Sequence, residues 1–163
     1  MSETSKPKKR LVAIRIRGNV GIRKPIKETL QILRLFKVNH AILIDDRKSY
    51  RGMLQKAKDY ITWGQIDQTT LFQLIKERGR LMGDLPITDE HIKKYTKFQS
   101  IKEFSDAIFN LKTEIINLPY IKPVFRLHPP KKGFKYSKKR PYKSSGELGN
   151  RGMEINSLLM RMI

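Results

Sequence analysis

The stretch Leu11-Val-Ala-Ile-Arg-Ile-Arg17 decides the predicted fold, because side chains alternate along it as in a β-strand. Every second side chain is apolar, and these share one face: Val12, Ile14 and Ile16. The other face is then expected to present Arg15 and Arg17 outward. The strand is therefore expected to supply both a core and a basic surface.

The residues after this strand predict an alternation of helices and strands. A turn over 18–21 precedes Pro25, which the first turn of a helix tolerates because its missing N–H would have had no partner there. Apolar spacing predicts a helix at Lys24–Lys37, a strand at Ala41–Ile44, a helix at Tyr50–Tyr60 and a strand at Tyr60–Trp63 that Gly64 stops. Residues 11–66 are therefore expected to form an α+β split βαβ core, a three-stranded antiparallel-type sheet with two helices on one face.

The remaining residues predict a helical appendage and a basic extension around this core. Residues 67–118 are expected to form the appendage, whose helices are capped by Thr69 or Thr70, by Thr88 and by Ser100. Its stretch from Asp84 to Glu114 carries six acids against five bases and is therefore nearly neutral. The other parts are a flexible basic arm at 1–10, a short strand plus an extended basic segment at 119–149, and a C-terminal helix at 150–163.

Net charge bounds the function. The chain has 35 Lys and Arg against 15 Asp and Glu, a formal net charge of +20. Repulsion between these like charges opposes compaction unless a dense anion lies alongside. Nucleic acid is the default partner; no membrane partner is expected, since the termini show neither a basic amphipathic helix nor a lipidation signal. The absence of cysteine excludes disulfides and thiolate metal sites. Without an apolar leader or membrane span, the protein is expected in the cytoplasm.

Two clusters concentrate the positive charge. Lys6–Lys27 holds nine Lys or Arg and Arg126–Lys143 holds eight, and neither contains an acid. A merely solvated surface would intersperse both signs, so the clusters favour RNA contact over a solubility role. A nuclear address is the weaker alternative, because the cations are spread through predicted structure rather than gathered in one short tail.

Prolines and aromatics within the second cluster suggest how it binds. Prolines keep the segment extended along a phosphate backbone, and aromatic rings offer faces for unstacked bases: Phe134, Tyr136 and Tyr142. Such a segment would become ordered only on RNA. The alternative is a plain disordered basic extension, which would bind equally well with its tyrosines replaced by alanine.

No catalytic, cofactor or metal site is predicted, and no small-molecule substrate. Gly18-Asn-Val-Gly21 lacks the ending of a phosphate-binding loop, so a tight turn is the better interpretation, with Arg23 and the helix N-terminus able to hold an RNA phosphate. The adjacent Asp45 and Asp46 point apart on extended backbone, which suits neither a metal cage nor an acid–base pair. Three histidines are isolated, without the partners that a zinc site needs: His40, His91 and His128. Trp63 is expected in the core or at the sheet rim.

Several separated motifs resemble one family of ribosomal proteins. The stretch Thr29-Leu-Gln-Ile-Leu-Arg-Leu-Phe-Lys-Val-Asn-His-Ala-Ile-Leu-Ile44 and the stretch Tyr50-Arg-Gly-Met-Leu-Gln-Lys-Ala-Lys-Asp-Tyr-Ile61 resemble large-subunit ribosomal protein family thirty, numbered seven in eukaryotic cytosolic ribosomes. Arg126-Leu-His-Pro-Pro130, Lys131-Lys-Gly133 and Gly146-Glu-Leu-Gly149 resemble the C-terminal extension of its archaeal and eukaryotic members. The short N-terminal arm favours the archaeal type.

This resemblance implies a ferredoxin-like core bound to large-subunit ribosomal RNA of the 23S type, near the 5S RNA, among neighbouring ribosomal proteins. By position it implies that Arg51 reaches RNA and that Gly52 allows close backbone approach, although Gly52 could equally serve packing against the first strand. The residues expected to contact RNA are Lys8, Lys9, Arg10, Arg15, Arg17, Arg23, Lys24, Tyr50, Arg51, Gly52, Arg126, His128, Lys131, Lys132, Lys135, Tyr136, Lys138, Lys139, Arg140 and Lys143.

Two rival functions stay open at this point. A free-standing module related to the RNA-recognition-motif fold would stack bases on sheet aromatics, whereas the outward positions expected here are Arg15 and Arg17. An enzyme acting on nucleic acid would need clustered carboxylates, a histidine base or an activated nucleophile, and the sequence does not assemble one.

Overall fold

A computed structural model describes residues 9–163 of the 163-residue chain. Its strands are β1 (Arg10–Arg15), β2 (His40–Asp45), β3 (Ile61–Gln65), β4 (Val124–Arg126), β5 (Ser137–Pro141) and β6 (Gly146–Asn150). Its α-helices are α1 (Lys24–Ile32), α2 (Lys48–Lys56), α3 (Gln68–Arg78), α4 (Asp89–Tyr95), α5 (Ile101–Phe109) and α6 (Ile155–Met162). Between residues 9 and 163, no helix is long and apolar enough to cross a membrane.

One mixed sheet joins six strands in the order β4-β2-β1-β3-β6-β5. Its centre is the predicted unit, since β1 pairs antiparallel with both β2 and β3. The prediction of a three-stranded sheet is wrong, however. Strand β4 adds antiparallel to β2, β6 adds parallel to β3, and β5 adds parallel to β6. These partners lie far along the chain, and β6 has the sequence GELGN, which lacks β-branched residues and therefore gives little strand signal.

Helices α1 and α2 cover one face of the sheet, as predicted. Leu30 of α1 and Leu54 of α2 are each 1 % exposed and pack in one cluster with Ala13 and Ile42. Helix α1 ends at Ile32 instead of Lys37, because Arg34 adopts a left-handed φ of 59° that helical backbone does not allow.

Helices that follow β3 in the chain cover the other face. The predicted inner face of β1, which includes Ile14, belongs to one cluster with Leu74 of α3, Phe104 of α5 and Leu159 of α6. Residues 67–118 are therefore not an appendage but one layer of the core. The apolar stripes of these helices need an apolar surface, and the sheet supplies it. Consequently all six residues of β1 are buried.

Helix starts follow the expected capping chemistry at two of three positions. The hydroxyls of Thr88 and Ser100 accept hydrogen bonds from backbone N–H groups of the first turns of α4 and α5. Helix α3 is instead capped by Asp67, whose carboxylate accepts from the Thr70 N–H at 2.6 Å. Aspartate satisfies the same unpaired N–H donors as threonine, and it lies two residues before Thr69 and three before Thr70.

Gly64 lies inside β3 and does not stop it. A Cβ atom at this position would lie 2.0 Å from the Gly152 carbonyl oxygen and 2.9 Å from the Ile155 side chain. The glycine therefore lets the start of α6 pack directly on the strand.

Candidate nucleic-acid interface

Strand β5 forms one edge of the sheet and carries exposed cations. All five of its residues are exposed, including Lys138, Lys139 and Arg140. In the segment 131–143, which contains β5, the cationic side chains have no carboxylate within 4.0 Å among residues 9–163: Lys131, Lys132, Lys135, Lys138, Lys139, Arg140 and Lys143. This unneutralised edge is the part of the described chain best suited to a polyanion.

A buried ion pair holds this edge to the sheet. A Glu147 carboxylate oxygen lies 2.6 Å from the Arg151 guanidinium, and the two side chains are 2 % and 5 % exposed. Arg151 also donates to the Thr62 hydroxyl on β3 at 2.8 Å, and Glu147 accepts from the Tyr136 N–H at 2.8 Å. The pair thus joins the basic segment, β6 and β3.

Sequence reasoning missed Glu147 and Arg151, although a signal was present. Glu147 is the lone acid between Glu114 and Glu154, in the most basic part of the chain. It also lies four residues before Arg151. An isolated acid in a basic stretch indicates a structural ion pair, since a solvated carboxylate there would only weaken anion binding.

The three aromatic rings of the second basic cluster, 126–143, differ in how far they are exposed for stacking. Tyr136 is 44 % exposed, with the Lys135 ammonium 5.6 Å from its ring centroid. Phe134 is half-buried against the core, and the half-buried Tyr142 ring has the Arg151 guanidinium at 5.0 Å. Of the three rings, Tyr136 is therefore the best placed to stack on a base.

The structure brings the two basic clusters together. Arg17 follows β1, Arg23 immediately precedes α1, and both line a groove of about 340 Å³ with Lys139 of β5. Lys24, beside them, is largely exposed and lies 4.0 Å from Glu28 in an exposed pair of little strength.

Arg15 corrects the expected outer face of the first strand. Its side chain is 2 % exposed and donates to the carbonyl oxygens of Leu35 at 2.7 Å and Phe36 at 3.0 Å. Burial lowers the pKa of its guanidinium below the ordinary value. The prediction that Arg15 faces RNA is therefore wrong, because the face it belongs to is covered.

Arg10 fails as an RNA contact for the same reason. It is 4 % exposed and donates to the Ile108 carbonyl oxygen at 3.0 Å. Desolvation lowers the pKa of this guanidinium, partly offset by Glu114 and Asp45. Its neighbour Lys9 is exposed, whereas Lys8 lies outside the described residues.

The Tyr50-Arg-Gly52 motif lies in the first half of α2, and the charge of its exposed arginine is partly neutralised. Arg51 donates twice to the Asp46 carboxylate at 2.5 Å, which lowers the pKa of Asp46. Half-buried Tyr50 lies against the Arg47 guanidinium at 5.3 Å. A Cβ on Gly52 would meet no atom within 4 Å, so packing against the first strand does not explain this glycine.

Two further predicted contacts lie at the opposite edge of the sheet or near it. Arg126 is exposed on β4, 3.4 Å from the Asp84 carboxylate. His128 is exposed, and its backbone N–H donates to the Met162 carbonyl oxygen at 3.0 Å. Strands β4 and β5 are at opposite ends of the strand order, so Arg126 does not share a surface with the β5 cations, whereas His128 lies beside the end of α6.

The polar groups of residues 9–163 do not assemble a metal centre. No group of three His, Asp or Glu side chains in this range could hold a metal ion.

Comparisons with known proteins identify the family. The family described as Ribosomal protein L30p/L7e matches residues 11–61, the central three-stranded unit. A protein named large ribosomal subunit protein uL30 from Methanopyrus kandleri is 47% identical over 149 residues, which is 91% of this chain and 100% of the relative. The protein of the same name from Archaeoglobus fulgidus is 48% identical over 91% of this chain and 97% of the relative. The protein of the same name from Methanosphaera stadtmanae is 47% identical over 92% of this chain and 97% of the relative. The chain belongs to the L30p/L7e family of ribosomal proteins.

Proposed function

We propose that this protein is a structural, non-catalytic constituent of the large ribosomal subunit that binds ribosomal RNA through the β5 edge and the groove beside it. The relatives that match nearly the whole chain are large ribosomal subunit proteins by name. Its place of action is then the cytoplasmic ribosome, with ribosomal RNA and neighbouring ribosomal proteins as partners.

The unneutralised cations around β5 carry the RNA part of the proposal. Seven Lys and Arg side chains lie within 13 residues, 131–143, where no acid interrupts them. Glu147, whose carboxylate accepts a hydrogen bond from the Tyr136 N–H of this segment, is turned inward to Arg151. Exposed cations of this density release counterions when they meet phosphates, which drives binding without sequence readout. The 23S-type RNA near the 5S RNA is the proposed target.

The RNA-recognition-motif alternative loses its physical basis in this fold. Such modules stack bases on an open sheet face. Here α1 and α2 cover one face of the central strands, and α3, α5 and α6 cover the other. Of the aromatic residues in the described strands, Phe125 is buried and Trp63 is half-buried against the α1–α2 cluster, so the sheet offers no open row of rings for stacking.

Sedimentation of a tagged copy tests the proposed function most simply. In a low-salt gradient we expect the protein to migrate with the large subunit, and nuclease digestion of the particle to release it. A protein that stays at the top of the gradient in both samples, with or without nuclease, would contradict the proposal. Partial release by a high-salt wash is expected, because the contacts are mainly ionic.

A further inference from the structure

The groove beside β5 gathers cations from two separate parts of the chain. Arg17, Arg23 and Lys139 all line it, together with the Tyr60 ring and one acid, Asp59. Arg17 and Arg23 come from the first basic cluster, and Lys139 comes from the second. Folding thus brings the two sequence clusters to one place.

Arg17 is held in position before any ligand arrives. Its guanidinium carbon lies 5.0 Å from the centroid of the Tyr60 ring, and it donates to the Asp59 carbonyl oxygen at 3.3 Å. The backbone N–H groups of Ile16 and Arg17 also donate to the Tyr60 carbonyl oxygen, at 2.8 and 3.2 Å. A guanidinium fixed in this way loses less rotamer entropy on binding a phosphate.

The start of α1 adds to the positive potential of the groove. Arg23 is the N-cap residue, no side chain caps this end, and no acid lies in the first turn. A helix N-terminus carries a partial positive charge, which an anion held by Arg23 would complement. At α3, α4 and α5 a side-chain oxygen occupies the equivalent place.

We propose that the Arg17–Arg23–Lys139 groove binds one phosphodiester group of ribosomal RNA, so that the two basic clusters hold the same RNA segment. The ligand class follows from the charge of the groove lining: two guanidinium groups and one ammonium outweigh the single carboxylate of Asp59, which suits an anion such as a phosphate. This inference rests on the proposed function, because it assumes that the ligand is ribosomal RNA.

Asp59 opposes the ligand within the same groove. Its exposed carboxylate reduces the positive potential of three cations without closing an ion pair to any of them. Removing this charge should therefore strengthen phosphate binding. Asp59→Asn is expected to tighten RNA binding roughly threefold at low salt, since one repulsive charge near the phosphate is lost.

A double-mutant cycle between the two clusters tests the shared phosphate. The probe is protein-free large-subunit ribosomal RNA of Archaeoglobus fulgidus, and the full chain is titrated with it at several salt concentrations. Arg23→Gln and Lys139→Gln are each expected to weaken binding roughly fivefold and to reduce the log–log salt slope by about 0.7 to 0.9. If one phosphodiester needs both cations, the double variant should lose little more than either single variant.

Lys131 supplies the matched control. It is exposed in the same basic segment, does not line the groove, and joins the fold through its backbone N–H to the Arg161 carbonyl oxygen at 2.9 Å. The effects of Arg23→Gln and Lys131→Gln are expected to multiply, because separate phosphates act independently. All variants change exposed side chains, and circular dichroism with thermal melting checks that each is folded.

The outcomes separate this inference from the proposed function. If the unmodified protein does not bind the RNA, the proposed function fails. If it binds, two results would overturn the shared phosphate site while RNA binding stands. The first is that the affinity losses of Arg23→Gln and Lys139→Gln multiply, as those of the control pair do. The second is that Asp59→Asn weakens binding.

Discussion

Strands β1 and β5 both carry arginine or lysine, yet their cations have opposite roles. In β1, at the centre of the sheet, Arg15 is 2 % exposed and satisfies backbone carbonyl oxygens. In β5, at the edge, Lys138, Lys139 and Arg140 are exposed with no described carboxylate in reach. The comparison shows that the position of a strand in the sheet, rather than the number of its cations, decides whether their side chains are buried in the fold or left exposed.

Breaking the ion pair behind β5 should have the largest effect. Glu147→Gln leaves the Arg151 guanidinium buried without its carboxylate, and we expect a loss of about 3 to 5 kcal/mol in the free energy of unfolding. Urea denaturation measures this loss, and hydrogen exchange should show faster opening at 136–150 than in β1. Glu154→Gln, at a nearby exposed acid, is the control and should change stability by less than about 0.5 kcal/mol.

The same pair offers a test of what the charges contribute. A double variant, Glu147→Leu with Arg151→Met, replaces the ion pair by apolar side chains and should recover much of the lost stability. If the double variant is as unstable as Glu147→Gln, then the hydrogen bonds of the pair to Thr62 and Tyr136, rather than charge balance, hold the edge.

Removing the central cation should have the next largest effect. Arg15→Met keeps much of the side-chain volume but leaves the carbonyl oxygens of Leu35 and Phe36 unpaired, and we expect a loss of about 2 to 4 kcal/mol in unfolding free energy. At permissive temperature the folded fraction should bind RNA as the unmodified protein does. A stable variant with weakened RNA binding would instead assign Arg15 to the interface.

Neutralising the edge cations should leave stability nearly unchanged. With Lys138, Lys139 and Arg140 all replaced by Gln, the unfolding free energy should change by less than about 1 kcal/mol, whereas affinity for large-subunit ribosomal RNA should fall about tenfold or more. The control replaces three exposed lysines of the nearly neutral stretch 84–114 by Gln: Lys93, Lys94 and Lys97. Equal losses of RNA affinity in the two variants would mean that overall charge, not the β5 edge, drives binding.

A pH titration should show the smallest effect, at the start of β2. Burial, then Arg126, Lys37 and Arg15, lowers the pKa of His40 below its ordinary value. Between pH 7 and 5 the unfolded chain therefore binds more protons at this position than the folded protein, so stability falls as pH falls. We expect less than about 1 kcal/mol, because the ring is partly solvated. His40→Gln should flatten this part of the curve; an unchanged slope would rule out His40 as its source.

Local sequence patterns predicted the helices and central strands well, but they predicted less well which elements pack against one another. The apolar stripes of α1 and α2 predicted their buried sides, and the structure confirms both helices on one face of the sheet, whereas the alternation in β1 predicted one buried face and both are buried. The same patterns do not reveal what covers the second face. Helix α5 has a strongly apolar face, but its target, the Ile14 side of β1, lies about 90 residues earlier in the chain.

The candidate interface was predictable as a region but not residue by residue. Clustered cations without acids pointed to both parts of the groove, and the structure brings Arg23 and Lys139 together. Charge density could not tell buried arginines from exposed ones, because Arg10 and Arg15 lie in the same run as Arg17. It also missed Glu147, whose anchoring role appears only when β6 pairs with β3.

The salt dependence of RNA binding tests the central claim, that exposed cations at the β5 edge and its groove exist to neutralise phosphates. Affinity of the intact protein for protein-free large-subunit ribosomal RNA should fall with a log–log slope of very roughly −7 to −9, as expected for on the order of ten phosphates. The variant lacking the three β5 cations should show a slope smaller in magnitude by about 2 to 3. An affinity that hardly changes with salt, or a slope that this variant leaves unaltered, would contradict the account.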